Sequence, residues 1–263
     1  MRGIARLLPG LAGILFLACS GCSHLPGKPS ARVETVRPDD QLDFHVLYQE
    51  NCSGCHGANG RGGAAIPLNN PAYLAVAGLD DLRNVTARGI PGTLMPPFAA
   101  SSGGMLTDRQ VDALVQGMLH TWARPAEFAG VSPLPPYSSS STGDAPNGQK
   151  AYAAACARCH GDDGKGVRPP AGQAPPAGSS PHSIVDASYL TIVSDQNLRS
   201  TVIAGHLDWK APDWRSYLAG RALTPQEITD IVAWLASHRP PSGPQTNTIP
   251  NANLSGAATK ESQ

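Results

Sequence analysis

The sequence predicts an all-α protein in which one helical unit is written twice. Three observations predict it. The run Cys52-Ser53-Gly54-Cys55-His56 returns as Cys156-Ala157-Arg158-Cys159-His160, an offset of 104. The text behind each run also returns: Tyr73-Leu74 as Tyr189-Leu190, Leu82-Arg83 as Leu198-Arg199, Gly89 as Gly205 and Pro96 as Pro212, all at 116, then Leu106-Thr107 as Leu223-Thr224 at 117. Each copy closes on an apolar stripe of helical period behind a capping signal. Self-similarity of this kind marks duplicated domains.

The elements follow in chain order. Residues 43–52 and 148–156 read as short helices that deliver the Cys-x-x-Cys-His runs. Residues 80–88 and 195–204 read as middle helices. The last helices are the best marked. Thr107-Asp108-Arg109-Gln110 is a capping box, followed by Val111, Leu114, Val115 and Met118 on one stripe. Thr224-Pro225-Gln226-Glu227 is its counterpart, with proline at the first helical position and Ile228, Ile231, Val232 and Leu235 behind it. The step from 104 to 116 predicts an insertion of 12 residues within 167–183, a loop rich in Pro, Gly, Ala and Ser.

These marks divide the chain into a signal peptide (1–21), a tether (22–37), a first domain (38–129), a Pro- and Ser-rich linker (130–147), a second domain (148–240) and a disordered tail (241–263). Arg2 and Arg6 precede an apolar stretch over 7–18 that Pro9 interrupts, too short to span a membrane comfortably. It ends in Leu17-Ala18-Cys19-Ser20-Gly21-Cys22, which resembles a bacterial lipoprotein cleavage site. Cys22 is the expected lipid attachment residue and Cys19 the alternative. Neither has leucine three positions upstream, and ordinary signal cleavage is the plain reading. Either way the body lies outside the cytoplasm.

Composition narrows the function. All six cysteines are used, two at the signal end and four in the repeated runs, so none is left for a structural disulfide. Aromatic content is 5%, against 28 Gly and 25 Pro. Such a chain needs a large apolar ligand to complete two small cores. Net charge is zero, but the first domain holds five Lys and Arg against nine Asp and Glu, and residues 144–240 hold nine of each. Nothing points to nucleic acid; the acidic first domain is a solvated surface before it is a steering field.

Cys-x-x-Cys-His is the attachment signature of a c-type haem. The cysteines Cys52 and Cys55, and Cys156 and Cys159, form thioethers, and His56 and His160 ligate iron. A redox dithiol or half a zinc site explains the cysteine pairs but not a histidine behind both. The expected cofactors are therefore two covalently bound haem c groups.

With Gly57 and Gly161 behind the runs, and Gly89 leading to Met95-Pro96-Pro97-Phe98, residues 38–240 resemble the di-haem members of the class I cytochrome c family. The resemblance implies two all-α domains, each wrapped round one haem, passing single electrons. It also implies that Met95 is the sixth ligand of the first haem; Met105 and Met118 are the weaker rivals. The second half departs from the pattern. Ala211 stands where Met95 predicts methionine, and no methionine lies in that half. His206 is the first candidate there, with Lys210, His182 and an open site as alternatives. Arg83 and Arg199 are candidates for pairing with haem propionates, Tyr73 and Tyr189 for packing beside the haem, and Trp209 and Trp214 for closing the second pocket.

The expected function is non-enzymatic electron transfer by a carrier anchored through lipid to the outer, periplasmic face of an inner membrane. Its donor is a quinol-oxidising complex or a dehydrogenase; its acceptor is a cytochrome or a terminal oxidase. A gas or peroxide sensor or peroxidase using an open second haem is one alternative. A fixed cytochrome subunit of a larger oxidoreductase is the other.

Overall fold

A computed structural model of the chain describes residues 36–169, 172–174, 180 and 182–240. The signal segment with Cys19 and Cys22, most of the tether and the C-terminal tail lie outside the described residues. The chain divides into two compact units, Met1–Asp40 and Gln41–Gln263. The first unit contributes one described element, the 3₁₀ turn Pro38–Asp40. Both repeats lie in the second.

The second unit is helical, with no β-strand among the described residues. In the first repeat, α1 (Phe44–Asn51) starts where the Asp43 carboxylate accepts from the Val46 N–H, and α2 (Ser53–His56) is the single turn that carries the first haem run. α3 (Pro71–Arg88) begins with Asn70 as cap and Pro71 at the first position. It is longer than the expected 80–88 because the chain continues through a kink at Gly78, whose φ of 62° breaks the helical geometry. α4 (Asp108–Trp122) carries the full Thr107–Gln110 capping box.

The second repeat follows the same plan. α5 (Ala145–Ala155) leads to α6 (Ala157–His160), the second haem run. α7 (Ala187–Ile192) and α8 (Asp195–Ala204) together replace α3, and α9 (Pro225–Ala236) carries the Thr224–Glu227 box. In each repeat the first and last helices pack together, α1 on α4 and α5 on α9. The apolar stripes read from the sequence face these contacts: Val111, Leu114 and Val115 are fully buried, as is Ile228. Burying such side chains stabilises by about 1.5–3 kcal/mol each.

Backbone hydrogen bonds locate the insertion. Ala65 N–H donates to Cys55 C=O at 3.0 Å, and Ser180 N–H to Cys159 C=O at 2.8 Å, so the offset is already 115 at Ser180. Val167 N–H donates to Ser180 C=O at 2.8 Å and closes the neck of the extra loop. The last extra residue enters between Ile184 and Asp186, where the cap Asp186 matches Asn70 at 116.

The 130–147 segment joins the repeats as a packed strap. Tyr137 is buried with its ring 6.3 Å from that of Tyr73, in edge contact. Arg199 holds the strap from the other side: its guanidinium donates to the carbonyls of Pro136 and Tyr137 and to Thr229 Oγ1 at 2.8–3.1 Å. Three backbone and side-chain acceptors in one place make this segment ordered where its composition alone suggests freedom.

Candidate haem-binding sites

Each haem run sits on a single helical turn that puts its cysteines and histidine close together. Cys52 is buried and Cys55 exposed, while Cys156 and Cys159 are both half-buried. Burial, with the neighbouring Cys55, pushes the Cys52 thiol up to about 11; burial, with Cys159, pushes Cys156 up to about 12. Behind each run a glycine carbonyl accepts from a tyrosine four residues before the first cysteine. Tyr48 Oη donates to Gly57 C=O at 2.8 Å, and Tyr152 Oη to Gly161 C=O at 2.6 Å. Sequence reasoning passed over these tyrosines, although they recur at the same offset of 104 as the cysteines.

The proximal histidines suit iron. His56 is 6% exposed, and its Nδ1 is 2.8 Å from the Ile66 carbonyl. A carbonyl only accepts, so Nδ1 carries the proton and Nε2 keeps the lone pair that binds a metal. Burial holds the imidazole below its ordinary pKa, in the neutral form that ligation needs. Burial lowers His160 likewise, and its Nδ1 is buried without a partner among the described residues. These residues fit a covalent haem in both repeats.

The two distal loops share one backbone frame but differ in their side chains. In the first, Ile90 N–H donates to Met95 C=O at 3.0 Å; in the second, His206 N–H donates to Ala211 C=O at 3.1 Å. Gly89 and Gly205 lie so tightly under these loops that a Cβ would come within 2.5 Å of Pro96 C and 2.1 Å of Pro212 O. The frame therefore places Ala211 at the position of Met95. Met95 is half-buried against the core, Met105 is 88% exposed and Met118 is buried in α4. The Thr93 hydroxyl donates to Ile90 C=O at 2.8 Å and braces the methionine loop. Its counterpart at 116 is Trp209.

Around the second loop the expectations divide. His206 has a buried Nδ1 without a partner among the described residues, and its ring stacks on Trp209 at 3.8 Å and 11°. Burial lowers its pKa, opposed by the Asp208 charge. Lys210 and His182 are exposed. Trp214 is 3% exposed and stacks on Phe128 of the first repeat at 6.1 Å. Trp209 is 79% exposed and does not close the pocket, because the 3₁₀ turn Leu207–Trp209 carries it outward.

Three further expectations are corrected. Arg83 pairs with Asp112 at 2.5 Å on the outer face of α3, and Arg199 is committed to the strap. Tyr73 packs at the junction of the repeats, its hydroxyl paired with that of Tyr137. Sequence reasoning also missed Tyr217. This phenol is raised by burial and then by Cys156, Asp213 and Cys159, which places it near the second attachment run, where the first repeat has Ser101.

Comparisons with known proteins find a separate family match in each repeat. The family described as "Cytochrome c" matches residues 145–239, and "Cytochrome C oxidase, cbb3-type, subunit III" matches residues 40–116. The chain is 33% identical over 128 residues to the cbb3-type cytochrome c oxidase subunit FixPc of Rhizobium leguminosarum bv. viciae, across 45% of this chain and 38% of that protein. It is 28% identical over 161 residues to the CcoP subunit of Azospirillum sp., across 55% and 49%. It is 31% identical over 123 residues to the CcoP subunit of Rubrivivax gelatinosus, across 46% and 34%. The chain thus spans a third to a half of the length of these relatives. No helix among the described residues is long and apolar enough to cross a membrane. With each repeat matched by its own c-type family, the chain belongs to the di-haem cytochromes c and carries two covalently bound haem c groups in two tandem all-α domains.

Proposed function

We propose that this protein is an electron-transfer module of a respiratory oxidase system, working on the periplasmic face of the inner membrane. The domains are those read from the sequence, 38–129 and 148–240, joined by the 130–147 strap. Cys52 and Cys55 bind the first haem covalently, and Cys156 and Cys159 the second. His56 and His160 are the proximal ligands. When bound, each haem supplies a one-electron couple.

The protein's own residues set the environment. Ile66 C=O orients the His56 imidazole, and Thr93 braces the loop that offers the Met95 thioether, a soft ligand that favours reduced iron. In the second domain Ala211 removes that option, and His206, hydrogen-bonded to Ala211 across the same loop, would take the sixth position. One observation carries this reading: two matching backbone frames, one with Met95 and the other with Ala211. With a thioether available only at Met95, the first haem would be the higher in potential and would take electrons from the second. A redox titration of the matured protein tests this; two waves are expected, and a single shared potential overturns it.

The relatives' names favour a place in a cbb3-type cytochrome c oxidase over free diffusion between a quinol-oxidising complex or dehydrogenase and a distant acceptor. Lipid at Cys22, with Cys19 as the alternative, would keep the module at the membrane surface. Purification from membranes in mild detergent separates the cases. An oxidase subunit co-purifies with its complex in fixed ratio, whereas a mobile carrier elutes alone.

A further inference from the structure

We infer that the first domain positions the distal wall of the second haem, with Asn70 as the positioning residue. The inference deepens the proposed function but rests on haem binding in the second domain, not on His206 being the ligand. The segment 204–215 runs from the end of α8 through the loop that replaces the methionine loop. It is tied to the first domain at its start, its middle and its end. Asn70 Nδ2 donates to Ala204 C=O at 2.9 Å, and Asn70 is 2% exposed. Gly62 N–H donates to Asp208 Oδ2 at 3.2 Å. Arg215 Nη1 donates to Glu127 C=O at 3.0 Å, its guanidinium lies 4.4 Å from the Phe128 ring centre, and Phe128 stacks on Trp214.

The first haem's distal loop is held differently. Its ties run to its own domain: Ile90 to Met95, Phe98 N–H to Thr86 C=O at 3.2 Å and Ala99 N–H to Ala87 C=O at 3.1 Å, with the Thr93 hydroxyl as brace. The second loop lost that hydroxyl to the exposed Trp209 and gained ties to the neighbouring domain. The exchange is visible in one pair of caps. Asn70 and Asp186 are repeat equivalents, and each accepts two N–H groups at the start of its helix. Only an amide can also donate, and the Asn70 amide does so into the second domain. A buried bond of this kind is strong because its carbonyl has no water to fall back on.

The test is Asn70→Asp in the full-length, haem-loaded protein. The carboxylate keeps the cap but cannot donate to Ala204. The expected result is a shift in the EPR g-values of the second haem and about a tenfold change in carbon monoxide binding at that haem, the factor set by loss of one buried hydrogen bond. The methionine–iron band of the first haem stays as in the parent, and the counterpart Asp186→Asn leaves both haems unchanged. Arg215→Ala is the second variant, on a half-buried side chain, and decides the matter if Asn70→Asp does not fold. Unchanged second-haem spectra and carbon monoxide rates in the folded variants overturn the inference. Fast carbon monoxide binding in the parent protein would remove His206 as ligand and still leave the comparison between parent and variant readable.

Discussion

The Phe44 ring lies directly over Gly117, where a Cβ would stand 2.3 Å from the ring carbons. The second repeat makes the same helix crossing with the partners exchanged. Gly148 stands at the place of Phe44 and Trp234 at the place of Gly117, and a Cβ on Gly148 would come within 2.9 Å of Trp234 Cβ and 1.9 Å of Asp230 O. Each domain therefore sets one glycine against the helix that carries an aromatic residue where its first and last helices meet. The exchange moves the bulky side chain from the first helix to the last and keeps one small residue at the crossing.

Gly117→Ala is expected to destabilise the first domain by about 1–3 kcal/mol, since overpacking must displace the Phe44 ring. Gly148→Ala is expected at or above the top of that range, because its obstacle is backbone on α9. Thermal unfolding followed at each haem's absorbance checks both; equal melting of parent and Gly148→Ala would remove the close crossing as a determinant.

Arg199 should matter to the strap rather than to a haem. Its guanidinium is buried, which lowers its pKa, and it serves two strap carbonyls and Thr229. Arg199→Met leaves those acceptors without a donor and is expected to cost about 3 kcal/mol. Limited proteolysis should then cut within residues 130–147, which the parent protein protects. Unchanged haem potentials would agree with this role, and a large shift would restore the propionate reading.

The acid limb of stability should report Glu227. The Arg221 guanidinium grips its carboxylate in two hydrogen bonds of 2.6 and 2.7 Å, and Thr224 adds the capping box. Together they hold the carboxyl near 2, below its ordinary value. A depressed folded pKa means stability that is present above the ordinary carboxylate range and lost as pH falls toward 2. Both side chains reach solvent, so the contribution is modest, at most about 1 kcal/mol. Glu227→Gln should flatten the decline of melting temperature between the ordinary carboxylate pKa and about pH 2. A slope identical to the parent would count against this pair.

Ala211→Met is a direct test of the shared loop frame. The His206–Ala211 hydrogen bonds reproduce the Ile90–Met95 connection, so a methionine at 211 starts from the backbone position that Met95 occupies. The variant is expected to raise the potential of the second haem toward that of the first, in a redox titration with spectral assignment of each haem. A second haem that keeps its original potential and spectrum would mean that the shared frame does not decide ligation.

By itself the sequence determined the local chemistry of this protein. Two Cys-x-x-Cys-His runs, two capping boxes and the repeat offsets were enough for the all-α class, the tandem cytochrome c repeats and the two covalent haem groups, because helix caps, thioether spacing and apolar period act over a few residues. The tertiary structure decided what depends on residues far apart in the chain. It turned the 130–147 segment into a strap through Arg199, took Arg83, Arg199 and Tyr73 away from haem roles, set Trp209 outside the pocket and brought Tyr217 toward Cys156 and Cys159. Polar partners of that kind are chosen by which backbone acceptors the fold leaves without water, and no local pattern records them.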